Sequence, residues 1–117
     1  MSAIVDDIVR RLAGGVDGDL GIPGKVVKFN AGEDGVIVLD SSGNPAKVSS
    51  TDRPADCTVT MAAMALKRIL AGEMSCGAAY MAFTRGVEGE QALAVLVQPF
   101  LRRVAAAAQD AVQARRG

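Results

Sequence analysis

The chain has no histidine and no tryptophan, and its aromatics amount to one tyrosine and three phenylalanines. Without histidine, the commonest general base and metal ligand is missing. Charge of one sign is missing as well, because thirteen Lys and Arg are balanced by thirteen Asp and Glu. No basic excess is available to displace counterions from a phosphate backbone, so nucleic acid is excluded as a partner. The Arg10-Arg11, Arg102-Arg103 and Arg115-Arg116 pairs read as solvated helix faces. Cysteine is scarce: Cys57 and Cys76 form neither a disulfide framework nor the CxxC spacing of a zinc site. Gly14-Gly15 and Gly86-Val87-Glu88-Gly89 lack the Gly-Lys-Ser/Thr ending of a phosphate loop. Apolar runs are too short and too broken by charge to span a membrane. The opening MSAIVDDIVRR has no basic region followed by an apolar one, and the closing Ala-Arg-Arg-Gly is not a Ser-Lys-Leu address, so a cytoplasmic location is expected. These absences point to a protein without metal or cofactor that catalyses nothing, an enzyme built on carboxylates alone being the remaining catalytic option.

What is present is apolar mass in small or flexible form. Half of the 117 residues are hydrophobic, chiefly Ala, Val, Leu, Ile and Met, enough for one compact domain over residues 1–117. Methionine adapts its shape, which suits a pocket of loosely defined contents as well as an ordinary core.

The pattern along the chain alternates between two periods. Residues 2–13 carry Ile4, Val5, Ile8, Val9 and Leu12 at helical spacing, with Ser2 as N-cap and Gly14-Gly15 as the stop. Asp6 and Asp7 sit near the positive end of that helix dipole, and Arg10 and Arg11 near the negative end. A loop through Gly18, Gly21, Pro23 and Gly24 precedes a strand with Val27 and Phe29 on one face. Turns at 31–35 and 41–45 then frame a strand over Val36–Leu39 and lead to a weaker one over Ala46–Ser49. In Asp56–Met61, Cys57, Val59 and Met61 point one way and Thr58 and Thr60 the other, which completes an antiparallel meander with one apolar face. Helices follow over 62–70 and, capped by Ser75, over 76–82; a last strand covers 84–88, with Gly89 as its break. A helix from Glu90 to Gln98 is interrupted at Pro99 and restarts to about Arg115, with Phe100, Val104, Ala107, Ala108, Ala111 and Val112 along one side. The class is α+β with the helices gathered on one sheet face.

Residues 55–101 resemble the sterol-carrier-protein-2 family, while the N-terminal half is similar only in layout. Ala55-Asp56-Cys57-Thr58-Val59-Thr60-Met61 looks like the strand that opens the family signature. A helix ending Leu70-Ala71-Gly72-Glu73-Met74 follows, then Ala79-Tyr80-Met81 where the family has Ala-Phe-Met or Ala-Phe-Phe. Val87-Glu88-Gly89-Glu90 and Leu93-Ala94-Val95-Leu96-Val97-Gln98 continue the resemblance without gaps.

The resemblance implies a five-stranded, mainly antiparallel sheet with helices that enclose a hydrophobic tunnel for a sterol, fatty acid, fatty acyl-CoA or similar lipid. Its implied lining is Met64, Ile69 and Leu70, then Tyr80, Met81 and Phe83, then Leu93, Leu96, Val97 and Phe100. Plain core packing is the alternative for each of them. Gln98 keeps the family pattern and is the expected polar contact to a ligand head. Phe83-Thr84-Arg85-Gly86-Val87-Glu88-Gly89 departs from the family's Gly-Lys-Leu-Lys-Ile-Lys-Gly, and Arg85 replaces an apolar residue. Facing inward, Arg85 would offer its guanidinium to a lipid carboxylate; a bulge at Gly86 would instead turn it out to water. Cys76 stands where a proline often starts the second helix.

The expected partner is a lipid with a long apolar chain, carried reversibly inside the cell. Transient contact with a membrane or an enzyme goes with that role, and residues 99–115 would act as a lid or as a partner helix for a homodimer. The rival reading is an interaction or accessory module of a lipid, isoprenoid-quinone or polyketide pathway, its cavity collapsed around Ala62, Ala63, Ala65, Ala78 and Ala79.

Overall fold

The computed structural model describes residues 3–14, 20–22, 24–43, 45–73 and 76–116. The expected caps Ser2 and Ser75 and the loop residues Gly15, Gly18 and Pro23 lie outside the described residues, as do the side chains of Cys76, Ala79, Ala111 and Val112.

Helix α1 (Ala3–Gly14) buries Val5, Ile8 and Leu12, the stripe its 3.6-residue period predicts. Its other face carries Asp7, which pairs with Arg11 at 3.0 Å and with Arg10 at 3.6 Å. The same carboxylate lies 3.9 Å from Lys67 on α2 (Ala63–Leu70). Exposed pairs of this kind contribute about 0–1 kcal/mol each, so burial rather than charge holds α1 in place.

Strands β1 (Val26–Asn30), β2 (Val36–Asp40), β3 (Lys47–Ser49), β4 (Cys57–Thr60) and β5 (Gly86–Gly89) form one sheet in the order β3-β2-β1-β4-β5. A single-turn 3-10 helix, Gly32–Asp34, joins β1 to β2. The expected meander is corrected at β4, which lies beside β1 and runs parallel to it, Val27 opposite Cys57 and Phe29 opposite Val59. The other three pairings are antiparallel. In a meander β4 would neighbour β3, which is short and nowhere fully buried. Beside β1 its apolar residues instead join Val27, Phe29, Ile37 and Leu39 in the buried core at the sheet's centre.

The chain reaches that position by crossing the second face of the sheet. On this crossing Asp52 and the Arg53 carbonyl accept from Lys28 Nζ at 2.7 and 3.0 Å, Arg53 pairs with Asp40, and the Asp56 carboxylate accepts the Val26 N–H at 2.9 Å. Val26 and Val38 are buried on this face, outside the main core.

On the opposite face lie α1, α2, α3 (Cys76–Phe83), α4 (Gln91–Leu96) and α5 (Gln98–Arg116). Two boundaries differ from expectation. The last strand begins at Gly86, not Thr84, and includes Gly89 as its final rung. The break in the closing helix falls at Val97, before Pro99. Pro99 is the second residue of α5, in a first turn whose N–H groups have no helical partner, so its missing donor leaves nothing unpaired there.

Gly89 has φ +89°, and a Cβ there would lie 2.2 Å from the Asp56 carbonyl oxygen. Neither the conformation nor the space admits a side chain. Gly89→Ala is expected to destabilise the protein by more than about 2 kcal/mol, the left-handed strain and the clash adding together. Gly77→Ala, where nothing lies within 4 Å, should be neutral or stabilise by up to about 1 kcal/mol. Urea unfolding of the two variants beside the parent checks both signs.

Candidate functional site

Beside the edge strand, the end of α3 approaches the start of α4, and a groove opens between them. Its floor is fixed by Tyr80, which is buried and meets Phe29 of β1 edge-to-face, ring centroids 6.4 Å apart at 87°. Such a pair contributes about 0.5–1.5 kcal/mol beyond area burial. From that anchor the backbone is led outward in steps. The Thr84 N–H and hydroxyl both donate to the Tyr80 carbonyl, and the Arg85 N–H donates to the Thr60 carbonyl at 2.8 Å. The β4–β5 register then runs unbroken from Thr60 opposite Gly86 to Cys57 opposite Gly89, without a bulge.

The groove has a volume of about 370 Å³ and is open to solvent. One wall carries Tyr80, Met81, Thr84 and Arg85, the strand adds Gly86 and Val87, and the helical wall presents Gln91, Ala94, Val95 and Gln98. Arg85, just before the strand, and Val87 within it both border the groove. Among the described residues Arg85 is the single charged side chain of this lining, and it is exposed. Beneath the helical wall lies Cys57, buried and free, and burial pushes its thiol pKa up. Lys25 holds Glu90 at 3.1 Å just outside, and its ammonium pKa is raised by that hydrogen bond.

Of the residues proposed from the sequence, Tyr80, Met81, Arg85 and Gln98 come together in this groove. Ile69, Leu93, Val97 and Phe100 are buried side chains of the core. Leu70 is buried too and borders a second cleft of about 240 Å³ between α1 and α5. Met64, Phe83 and Leu96 are 57%, 44% and 49% exposed and do not line the groove. Among the described residues the apolar side chains expected around a tunnel border an open groove, pack on one another or face solvent. Sequence reasoning missed Val87, Gln91, Ala94 and Val95. Their signal was the stripe 91, 94, 95, 98, which follows helical spacing and lies beside the buried stripe of Leu93 and Val97. Among the described residues no group of His, Cys, Asp and Glu could hold a metal ion, and no helix is long and apolar enough to cross a membrane.

The sequence pattern of the SCP-2 sterol transfer family matches residues 7–102. The chain belongs to that family. Solved SCP-2 domains share its fold at low identity. The sterol carrier protein domain 2 of Helicoverpa armigera superposes with a TM-score of 0.65 at 17% identity, covering 88% of this chain and 89% of that one. Sterol carrier protein-2 of Aedes aegypti, solved with the C16 fatty acid palmitate, gives 0.61 at 24%, covering 88% and 98%. A ubiquinone synthesis protein, UbiJ-SCP2, gives 0.56 at 19%, covering 86% and 92%. No curated protein matches the chain.

Within this SCP-2 domain the first turns of α5 belong to the core, since Phe100, Leu101, Val104 and Ala105 are buried. That leaves only the helix beyond Ala108 for the expected lid or partner-helix role. Ending the chain after Gln98 removes three large core side chains, at about 1.5–3 kcal/mol each, and should abolish cooperative unfolding. Ending it after Ala108 keeps all three and should preserve the transition. Circular dichroism melts of the two truncations decide the point.

Proposed function

We propose that this SCP-2 domain binds one apolar lipid chain in the groove between α3 and α4 and carries it without chemical change. The observation that carries the reading is the groove itself. Met81, Val87, Ala94, Val95 and the Tyr80 ring face one space of about 370 Å³, at the small end of the roughly 300–1,000 Å³ of small-molecule clefts. Membership of a sterol transfer family supports lipid as the ligand class, and the palmitate complex of the Aedes aegypti protein supports a fatty acid as its first candidate. Among the described residues the lining offers no pair of titratable groups for acid–base work, which supports carriage over catalysis. A free, buried Cys57 accords with a reducing, intracellular setting.

The energetics favour fast exchange. A fully buried methylene gains about 0.8 kcal/mol, and a chain covered on one side gains about half of that. A dozen methylenes then offer roughly 5 kcal/mol gross, from which ordering and association costs must be subtracted. Micromolar affinity therefore requires the walls to close over the chain after it enters. Tyr80 and its contact with Phe29 hold the floor, so the movement falls to Met81 and to the exposed side of α4.

Met81 and Val95 are 68% and 61% exposed, so a charge at either position should leave stability within about 0.5 kcal/mol. Met81→Asp and Val95→Asp are each expected to weaken fatty-acid binding at least about tenfold by placing a solvated carboxylate against the chain. Titration with a fluorescent fatty acid measures the loss, and parent-like binding by both variants would refute the groove as the site.

A further inference from the structure

We infer that the groove selects an anionic single-chain amphiphile, with Arg85 as the residue that receives its head. The inference rests on the lipid-binding reading and adds the chemical class of ligand to it. Three observations point the same way.

First, the charge at the groove is of one sign. Among the described residues Arg85 is the only ionised side chain in the lining, beside apolar Met81, Val87, Ala94 and Val95 and the neutral polar Thr84, Gln91 and Gln98. Second, among the described residues no acid neutralises it. Glu90 is held by Lys25 at 3.1 Å. Glu88 faces the other side of the sheet, where it borders a polar cleft with Lys28 and Thr58. Among the described residues no salt bridge to Arg85 is formed.

Third, the position of Arg85 is built. Its N–H is bonded to the Thr60 carbonyl at 2.8 Å, the preceding Thr84 is held through N–H and hydroxyl by the Tyr80 carbonyl, and Tyr80 is anchored on Phe29. A planar guanidinium carried on this held backbone can take two oxygens of a carboxylate or a phosphate monoester at once. The small volume suits one chain rather than two.

An exposed cation without a partner lowers the free energy of a bound anion and does nothing for a neutral head, so the discrimination lies in the head group. Dodecanoate, dodecyl phosphate and dodecanol share one chain and differ there. All three are titrated by calorimetry, below their micelle concentrations, into the full chain and into Arg85→Gln. The parent is expected to bind dodecanoate or dodecyl phosphate about tenfold more tightly than dodecanol, as for a hydrogen bond to a charged group. The stronger of the two anions identifies the source of the head. Arg85→Gln should lose that preference while its dodecanol affinity stays unchanged, and Arg85→Lys should keep part of it. Added salt should weaken the anions and leave dodecanol alone. Equal binding of dodecanoate, dodecyl phosphate and dodecanol by the parent would overturn the head-group inference and leave the lipid-binding reading intact. So would an equal loss of all three in Arg85→Gln, because a packing role alone predicts that result. Failure of the parent to bind any of them would overturn the lipid-binding reading and this inference with it.

Discussion

In a chain with four aromatic residues, two of the rings meet between the third helix and the central strand. Phe29 lies on β1, which has neighbours on both sides, and Tyr80 comes down onto it from α3. Small aliphatic side chains fill a core but orient little, since alanine and valine have few atoms with which to define an angle. The edge-to-face pair supplies that orientation. It sets where α3 ends, and the Tyr80 carbonyl then holds Thr84, which delivers Arg85 to the end of β4. Floor, wall and rim of the groove are consecutive consequences of one contact.

The mixed sheet is the second constraint. Placing β4 beside β1 brings Cys57 and Val59 into register with Val27 and Phe29, so the most apolar strands occupy the middle. β5 is then left as an edge strand with one partner. The groove lies beside that edge, where the sheet ends and α3 and α4 need not pack against a further strand. A polar crossing makes the arrangement feasible. Asp52, Arg53 and Asp56 bind to β1 and β2 through exposed or partly buried hydrogen bonds and ion pairs, which hold the segment close to the sheet without requiring a second core.

Much of the fold was legible because its elements are short and their periods unambiguous. Ile8 and Leu12 at helical spacing, and Cys57, Val59 and Met61 in alternation, were each assigned to the buried side they occupy. The neighbour of β4 was not legible, since local alternation is the same whether a strand joins β3 or β1. The break at Val97 was misplaced for a related reason. Pro99 marks where a backbone donor is missing, but the first turn of a helix has no use for that donor, so the break falls before it, at Val97, which is buried in the core.

The groove was legible only in part. Tyr80, Met81, Arg85 and Gln98 were found, whereas Ile69, Leu93 and Val97 belong to the core and Met64, Phe83 and Leu96 to the surface. The sequence by itself determined the element types, the buried stripes, the family and the absence of histidine chemistry, because these follow from residue identity and from periods of two and 3.6. Only the tertiary structure decided which helix stripe faces the core and which faces the groove. On α4 the two stripes adjoin and both contain apolar residues, so their fates depend on what lies across from them. The same holds for Arg85: its residue type was legible, but its place beside Val87 at an open groove depends on an unbroken register with β4, and register is a property of two strands together.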